Sequence, residues 1–128
     1  MIPKFRAWDK LRKRMSIVDR IYFDTEGVQL RDDGGLYWRN FRNITLMQST
    51  GLFDKNGTEI FEGDIVGMRK HILANQHYYE VFKHRGGTFR LRNKFYGCEL
   101  WLRHEHCEVL GNIYENPELM EADNDPER

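Results

Sequence analysis

Short turn sequences that contain glycine recur along this chain and limit how long the elements between them can be. The clearest lie at residues 24–27, 32–35, 54–57 and 84–87. Glycine reaches positive φ angles without steric cost, and aspartate or asparagine bonds to nearby backbone, so each of these segments predicts a tight turn. No long helix is evident between them, and the spacing predicts a succession of short strands.

The segments between the turns have the composition of β-strands. β-Branched and aromatic residues are common in them, and residues 88–92 alternate, with Phe89 and Leu91 on one face and Arg90 and Arg92 on the other. Strands are predicted at residues 4–8, 15–23, 28–30, 36–38, 44–48, 65–68, 77–83, 88–92 and 108–114. Short strands at this spacing favour a mostly β fold with a small barrel over an α/β sheet.

Residues 15–23 fit two patterns. Ile17, Ile21 and Tyr22 would suit one face of a helix, whereas Ile17, Ile21 and Phe23 would suit one face of a strand. The β-branched and aromatic composition favours the strand.

A short helical turn is predicted near the C-terminus. Asn116 suits its N-cap and Pro117 its first position. The chain then ends in an acidic stretch that is nearly free of apolar residues and is expected to be disordered. The predicted organisation is a β-rich segment at 1–45, a barrel at 46–120 and a tail at 121–128.

Four carboxylates crowd the central stretch of the chain, residues 46–66. They are Asp54, Glu59, Glu62 and Asp64. Such a cluster could form a metal or acid–base site. Aspartate in a turn more commonly accepts hydrogen bonds from nearby backbone amides. We therefore expect Asp54 and Asp64 to build turns, and the stretch to join the N-terminal segment to the barrel.

The charge of the chain is balanced overall but unevenly distributed. Residues 1–20 carry a net charge of +5 and residues 108–128 one of −6, within a total of zero. The basic segment could meet an anionic partner such as nucleic acid, or the two ends could be solvated or face each other within a molecule or across a dimer. A neutral chain lacks the basic excess of typical nucleic-acid-binding proteins, which favours the second interpretation.

The sequence also predicts a cellular compartment. No apolar run approaches the roughly 20 residues that a membrane helix needs, and residues 1–6 lack the apolar region of a secretion signal. We expect a cytoplasmic protein without membrane contact. In that compartment Cys98 and Cys107 are expected to stay free thiols.

No recognised catalytic motif is present, so we expect no enzyme activity. There is no phosphate loop, dinucleotide fingerprint or serine elbow. One cluster, His104, His106 and Cys107, raises the alternative of a metal-dependent enzyme. On a strand, the two histidines would share a face that Cys107 could not join. Surface histidines beside a core thiol are the simpler interpretation, and no metal or other cofactor is predicted.

Aromatic and basic residues interleave between residues 78 and 103 and provide the strongest functional signal. A small barrel that stacks bases on aromatic rings and contacts phosphates with arginine has this composition. An ordinary barrel with an aromatic core and a solvated basic face has it too. The candidates for nucleic-acid contact are Tyr78, Tyr79, Arg85, Arg90 and Arg92.

Three ordered blocks of the chain resemble the YopX family of phage and prophage proteins. They are FRAWDK at 5–10, LMQSTGLFDKNGTEIFEGDIV at 46–66 and EVLGNIYENPEL at 108–119. The resemblance implies a phage or prophage origin, a setting in the host cytoplasm, and an SH3-type barrel preceded by a smaller β-rich segment. It implies no enzyme activity and assigns no functional residue.

We therefore expect an accessory protein that acts by binding rather than catalysis. Its partner would be another copy of itself in a homo-oligomer, another protein, or nucleic acid. No small-molecule substrate is indicated.

Overall fold

The computed structural model describes residues 4–69 and 73–121. The strands in this part of the chain are β1 (Phe5–Asp9), β2 (Arg14–Tyr22), β3 (Gly27–Asp32), β4 (Gly35–Asn40), β5 (Ile44–Phe53), β6 (Glu59–Phe61), β7 (Asp64–Met68), β8 (His77–Lys83), β9 (Phe89–Arg92), β10 (Gly97–Glu99) and β11 (Glu108–Asn112). Two short helices, α1 (Leu100–Arg103) and α2 (Glu118–Glu121), and two 3-10 turns, Phe41–Asn43 and His104–His106, complete it. The predicted mostly β class is confirmed. No helix in these ranges has the length and apolar character to cross a membrane.

The chain divides into two compact units, Met1–Ser49 and Thr50–Arg128. In the first unit the strands follow the order β4-β3-β2-β1-β5, each antiparallel to its neighbour. Strand β5 continues into the second unit, where β6 lies beside it. The second unit also holds a five-stranded sheet with the order β10-β9-β8-β7-β11.

Neither sheet closes on itself in the ranges that the structure describes. Strands β4 and β6 end the first sheet, and β10 and β11 end the second. The predicted SH3-type barrel is therefore not confirmed, and the observed architecture is two open antiparallel sheets. Glu121 ends α2; the rest of the predicted tail lies outside the described residues.

Two of the predicted turns join neighbouring strands of the first unit. Tyr22 pairs with Gly27 across one turn, and Asp32 pairs with Gly35 across the other. Gly27 has a packing requirement as well, because an added Cβ would lie 2.1 Å from Cζ2 of Trp38. The glycine therefore allows the indole ring to lie directly on the β3 backbone.

The prediction that Ile17, Ile21 and Phe23 share one face of β2 is wrong. Ile17 is 61% exposed and Phe23, just beyond the strand, is 78% exposed, whereas Ile21 packs against the core of the first unit. The register between β2 and β3 shifts between Val18 and Arg20. A β-bulge of this kind adds a residue to one strand and reverses the alternation after it, so Ile17 and Ile21 do not share a face.

The sheet of the first unit curls strongly. Nε of Arg39, on β4, donates to Oδ1 of Asp9, on β1, at 3.1 Å. The hydroxyl groups of Ser16 and Tyr37 lie 2.6 Å apart across β3. These side chains reach each other although other strands lie between them, so this face of the sheet must be concave. The core residues of the first unit are Ala7, Val28, Leu30 and Ile44.

The core of the second unit lies on one face of its sheet. Tyr79 and Val81 of β8 alternate with Tyr78, Glu80 and Phe82, which are less buried. The buried residues that form this core are Ile60, Val66, Tyr79, Val81, Leu91, Leu100 and Cys107. The predicted alternation of β9 is confirmed, because Leu91 is fully buried while Arg92 is exposed.

The central stretch differs in one respect from its prediction. Strand β5 does not end near Gln48 but runs to Phe53, with Gly51 at a φ of 76°. The turn at 54–57 is confirmed: the Gly57 amide donates to the Asp54 carbonyl at 3.0 Å.

The predicted helical turn after β11 is confirmed, but its cap is not. The amides of Leu119 and Met120 donate to the carbonyls of Asn116 and Pro117, each at 3.1 Å. The Asn116 side chain points backwards, and its Oδ1 accepts from the Asn112 amide at 3.2 Å. It therefore stabilises the turn before the helix instead of the helix N-terminus.

Candidate ligand pocket

A pocket of about 380 Å³ opens on the core side of the second unit. Met68 at the end of β7 and Cys98 on β10 both line it, although β8 and β9 lie between these strands. The sheet must therefore curl around the pocket. Its polar and aromatic lining comes from five further residues, Arg69, Tyr79, Tyr96, Arg103 and His106.

The lining combines positive charge with aromatic rings. Arg69 and Arg103 contribute two guanidinium groups and His106 an imidazole, and none of the described lining residues is a carboxylate. Within the described ranges, no carboxylate pairs with the exposed Arg103. An anion that enters the pocket would therefore meet the Arg103 guanidinium without a competing carboxylate partner.

The lining also includes the thiol of Cys98. Burial raises the pKa of Cys98 above its ordinary value, and the charges of Arg103 and Arg90 only partly offset this. Cys98 is not hydrogen-bonded to His106 in the structure. The side-chain partner of the Cys98 thiol in the pocket is Arg103.

Cys107 lies deeper, in the core behind the pocket. Both cysteines are free. Burial, together with the neighbouring Cys98 and Asp54, raises the pKa of Cys107 to about 12. Its Sγ donates to the Arg103 carbonyl at 3.3 Å, so it helps to position the end of α1.

Two of the predicted nucleic-acid residues, Arg90 and Arg92, share the opposite face of the sheet with Tyr78. Both arginines have acidic partners: Nε of Arg90 lies 2.5 Å from Glu99, and Nε of Arg92 donates to Glu80 at 3.3 Å. Paired arginines attract phosphate less strongly, because each partner carboxylate repels it.

The remaining candidates are separated from that face. Tyr79 is only 6% exposed and belongs to the core, so it presents no ring on the face of Tyr78. Arg85 lies in the turn after β8, which the His84 carbonyl closes by accepting from the Gly87 amide at 2.8 Å. The structure therefore does not bring the five predicted residues together.

The structure also does not bring together the predicted cluster of His104, His106 and Cys107. His104 and His106 occupy a 3-10 turn, not the strand assumed for them. Nδ1 of His104 lies 2.7 Å from the Phe53 carbonyl, whereas His106 lines the pocket. Within 4–69 and 73–121, no three histidine, cysteine or acidic side chains form a metal-ligand group.

The carboxylate of Asp54 builds a turn, as predicted. Its Oδ1 accepts from the amides of Asn56 and Thr58 at 2.9 and 2.8 Å, and its Oδ2 accepts from the Val109 amide at 2.8 Å. Burial alone would raise the pKa of Asp54, but these three bonds outweigh it and lower the pKa below its ordinary value.

The carboxylate of Asp64 also builds a turn, because its Oδ2 accepts from the Phe61 amide at 2.8 Å. Both predicted turn-building roles are therefore confirmed.

Sequence reasoning missed most of the pocket. Tyr96 and Arg103 belong to the interleaved aromatic and basic set, but that pattern could not show that they face Cys98 rather than solvent. Arg69 carried no signal, because it follows β7 in a stretch of ambiguous composition. Curvature of the sheet, which brings Met68 and Arg69 to Cys98 across two intervening strands, cannot be predicted from residue spacing.

The fold and its turn sequences agree with a known family. The model of the family described as YopX protein matches residues 4–121, and the chain belongs to this family. The resemblance found in the sequence is thereby confirmed. None of the curated proteins matches the chain.

Two crystal structures are similar to the chain over nearly its whole length. Protein EF1440 from Enterococcus faecalis is 31% identical, with a TM-score of 0.63 over 94% of this chain and 99% of that one. Protein yopX from Bacillus subtilis is 22% identical, with a TM-score of 0.62 over 91% of this chain and 95% of that one. The second shows a shared fold.

Proposed function

We propose that this chain is a phage or prophage accessory protein that acts by binding rather than catalysis, through the pocket of the second unit. The observation that supports this proposal is the composition of the pocket lining: its described residues include cationic and aromatic groups but no carboxylate. Action in the host cytoplasm and an SH3-type barrel stay predictions of the sequence.

The chemistry of the pocket supports binding. A cysteine nucleophile needs a thiolate or a neighbouring base, and burial keeps the Cys98 thiol protonated. Both carboxylate oxygens of Asp54 and the Oδ2 of Asp64 accept hydrogen bonds from backbone amides. The pocket can therefore hold an anion, but the described residues place no base and nucleophile in hydrogen-bonding contact within it.

A capture experiment tests this function. The protein is incubated with a bacterial small-molecule extract, desalted and analysed by native mass spectrometry. We expect a bound anionic compound that is lost in Arg103→Gln and kept in Arg92→Gln, whose arginine lies on the opposite face. Release of a chemically altered compound at several equivalents per protein, abolished in Cys98→Ala or His106→Ala, would show catalysis and overturn the proposal.

The opposite face supports nucleic-acid binding as a second candidate. Tyr78, Phe82, Arg90 and Arg92 share it, and the Arg92 guanidinium stacks over Phe82 at 4.0 Å from the ring centre. Contact with phosphates predicts affinity that falls steeply with salt. Retention on single-stranded nucleic acid that is absent, or unchanged between low and high salt, would remove this candidate.

We further propose that the chain forms a homo-oligomer through strand β4. This strand has one hydrogen-bonded neighbour in the described part of the chain, and it carries Leu36 and Trp38, which are 54% and 41% exposed. Two copies of one edge strand can pair antiparallel about a two-fold axis, so a second copy is the natural occupant.

Light scattering tests the oligomer. The native chain should give a multiple of 15.4 kDa, and Leu36→Lys should reduce it to the monomer mass. Leu102→Lys, which changes a 53% exposed apolar residue on α1 of the second unit, is the matched control. A monomeric native chain contradicts the proposal.

A further inference from the structure

We infer that the pocket takes a nucleoside 5′-monophosphate, either as a free nucleotide or as the 5′-phosphorylated end of a single strand. This inference rests on the proposed binding function of the pocket. It is carried by the chemical types of the lining residues, by their positions and by the size of the pocket.

The phosphate end of the ligand is matched by arginine. A guanidinium group offers parallel N–H donors that fit a phosphate, and it stays charged at all physiological pH values. Arg69 and Arg103 reach the pocket from separate elements, the end of β7 and the end of α1. None of the described lining residues is acidic, so no carboxylate of the lining itself repels a phosphate there.

The ring end of the ligand is matched by tyrosine. Aromatic side chains stack on nucleobases without strong sequence preference, because every base has a flat face. Tyr79 is 6% exposed and held in the core, so its ring has a fixed position, whereas Tyr96 is 42% exposed at the opening before β10. Tyr96 therefore provides the accessible ring for stacking, and Tyr79 adds a fixed group to the lining.

The size of the pocket selects a small ligand. Ligand pockets commonly measure roughly 300–1,000 Å³, and this one, at about 380 Å³, lies near the small end. Such a volume suits one base, one sugar and one phosphate. It does not admit a duplex, so an oligonucleotide would enter by its terminal nucleotide only.

The arginine-bearing face of β8 and β9 lacks these properties. Arg90 and Arg92 each have a glutamate partner, and that face is open sheet surface. A phosphate that binds there must compete with Glu99 and Glu80. The pocket, where Arg103 has no carboxylate partner among the described residues, is the stronger anion site.

Calorimetric titration of the full chain tests the ligand class. Adenosine 5′-monophosphate should bind at least tenfold more tightly than adenosine or inorganic phosphate, because only the nucleotide engages both ends of the pocket. Arg103→Gln should weaken nucleotide binding at least tenfold, and Arg92→Gln should leave it unchanged. Tyr96→Leu should weaken nucleotide binding several-fold while leaving phosphate binding unchanged.

A second measurement uses the native chain and avoids any question of variant folding. Cys98 lines the pocket, so bound adenosine 5′-monophosphate should slow its alkylation by iodoacetamide, with adenosine as the control ligand. Undiminished alkylation at nucleotide concentrations up to 10 mM would overturn the inference.

Two oligonucleotides separate the two sources of the ligand. A 5′-phosphorylated trinucleotide that binds as well as the mononucleotide, when its 5′-hydroxyl form does not, identifies a strand end. Binding of the mononucleotide alone identifies a free nucleotide. If nucleotides fail but the extract yields a different anion that Arg103→Gln releases, the inference is overturned while the binding function stands.

Discussion

The carboxylate of Asp54 accepts a hydrogen bond from the backbone amide of Val109 at 2.8 Å, across 55 residues of sequence. The Lys55 amide donates to the Cys107 carbonyl at 2.9 Å beside it. The turn after β5 is thus attached to the beginning of β11. Asp54, which the sequence assigned to a turn, therefore also attaches that turn to β11 within the second unit.

Replacement of Asp54 by alanine should destabilise the protein by about 2–4 kcal/mol. The change leaves the amides of Asn56, Thr58 and Val109 without their acceptor, and the residue itself is only 6% exposed. Urea unfolding monitored by tryptophan fluorescence measures the loss. The control is Asp24→Ala, which removes one local bond in an exposed turn and should cost no more than about 0.5 kcal/mol.

Stability should fall in acid because two buried aspartates have lowered pKa values. For Asp9, as for Asp54, burial raises the pKa, but hydrogen bonds outweigh it: those from the Arg12 amide, the Arg39 guanidinium and the Leu11 amide lower the pKa below its ordinary value. A group whose folded pKa is depressed stabilises the fold above its unfolded pKa, near 4, and loses that contribution as the pH falls through the folded value.

Urea midpoints between pH 7 and pH 2 check this acid dependence. The native midpoint should drop below about pH 4. For Asp54→Asn, the urea midpoint at pH 7 should be lower than that of the native chain, and it should decrease less between pH 7 and pH 2. The reason is that the neutral asparagine amide does not bind a proton when the protein unfolds in acid. Parallel curves for the two proteins would show that Asp54 does not contribute.

The tight turns could be predicted from sequence because their chemistry is local. Glycine and aspartate specify the Asp32–Gly35 pairing and the turn at 54–57 through backbone angles and nearby amides. The face of β2 could not be predicted, since the bulge between Val18 and Arg20 is set by pairing with β3. The exposure of Ile17 could therefore be predicted only if the partner strand of β2 were known.

The candidate site was less accessible to prediction, for a physical reason. The alternation of β9 correctly placed Arg90 and Arg92 on one face, but the glutamates that pair with them come from β10 and β8. The pocket draws on separate strands, α1 and a 3-10 turn, and sheet curvature brings Met68 at the end of β7 close to Cys98 on β10. Only tertiary packing carries that information.

Replacement of Gly57 by valine should destabilise the protein by about 1–2 kcal/mol. Gly57 has a φ of 82°, and nothing lies within 4 Å of an added Cβ, so the cost is backbone strain without a clash. Gly57→Asn should recover most of the loss, because asparagine tolerates this conformation. Equal thermal midpoints for the valine variant and the native chain would contradict the role of the positive φ.

The two thiols should react at very different rates in the native protein. Cys107 is fully buried with a pKa of about 12, so at pH 8 about one molecule in ten thousand carries its thiolate, which is the reactive form. Cys98 is half-buried at the pocket and has a raised pKa; it should react more slowly than free cysteine but faster than Cys107. Mass spectrometry after timed treatment with iodoacetamide should show one label, located at Cys98, and its rate should keep rising at pH values where the rate of free cysteine has levelled off. Cys98→Ser should then remain unlabelled until urea unfolds it, when Cys107 becomes accessible. Rapid labelling of Cys107 without denaturant would mean that the core behind the pocket opens readily, which is incompatible with its position under α1.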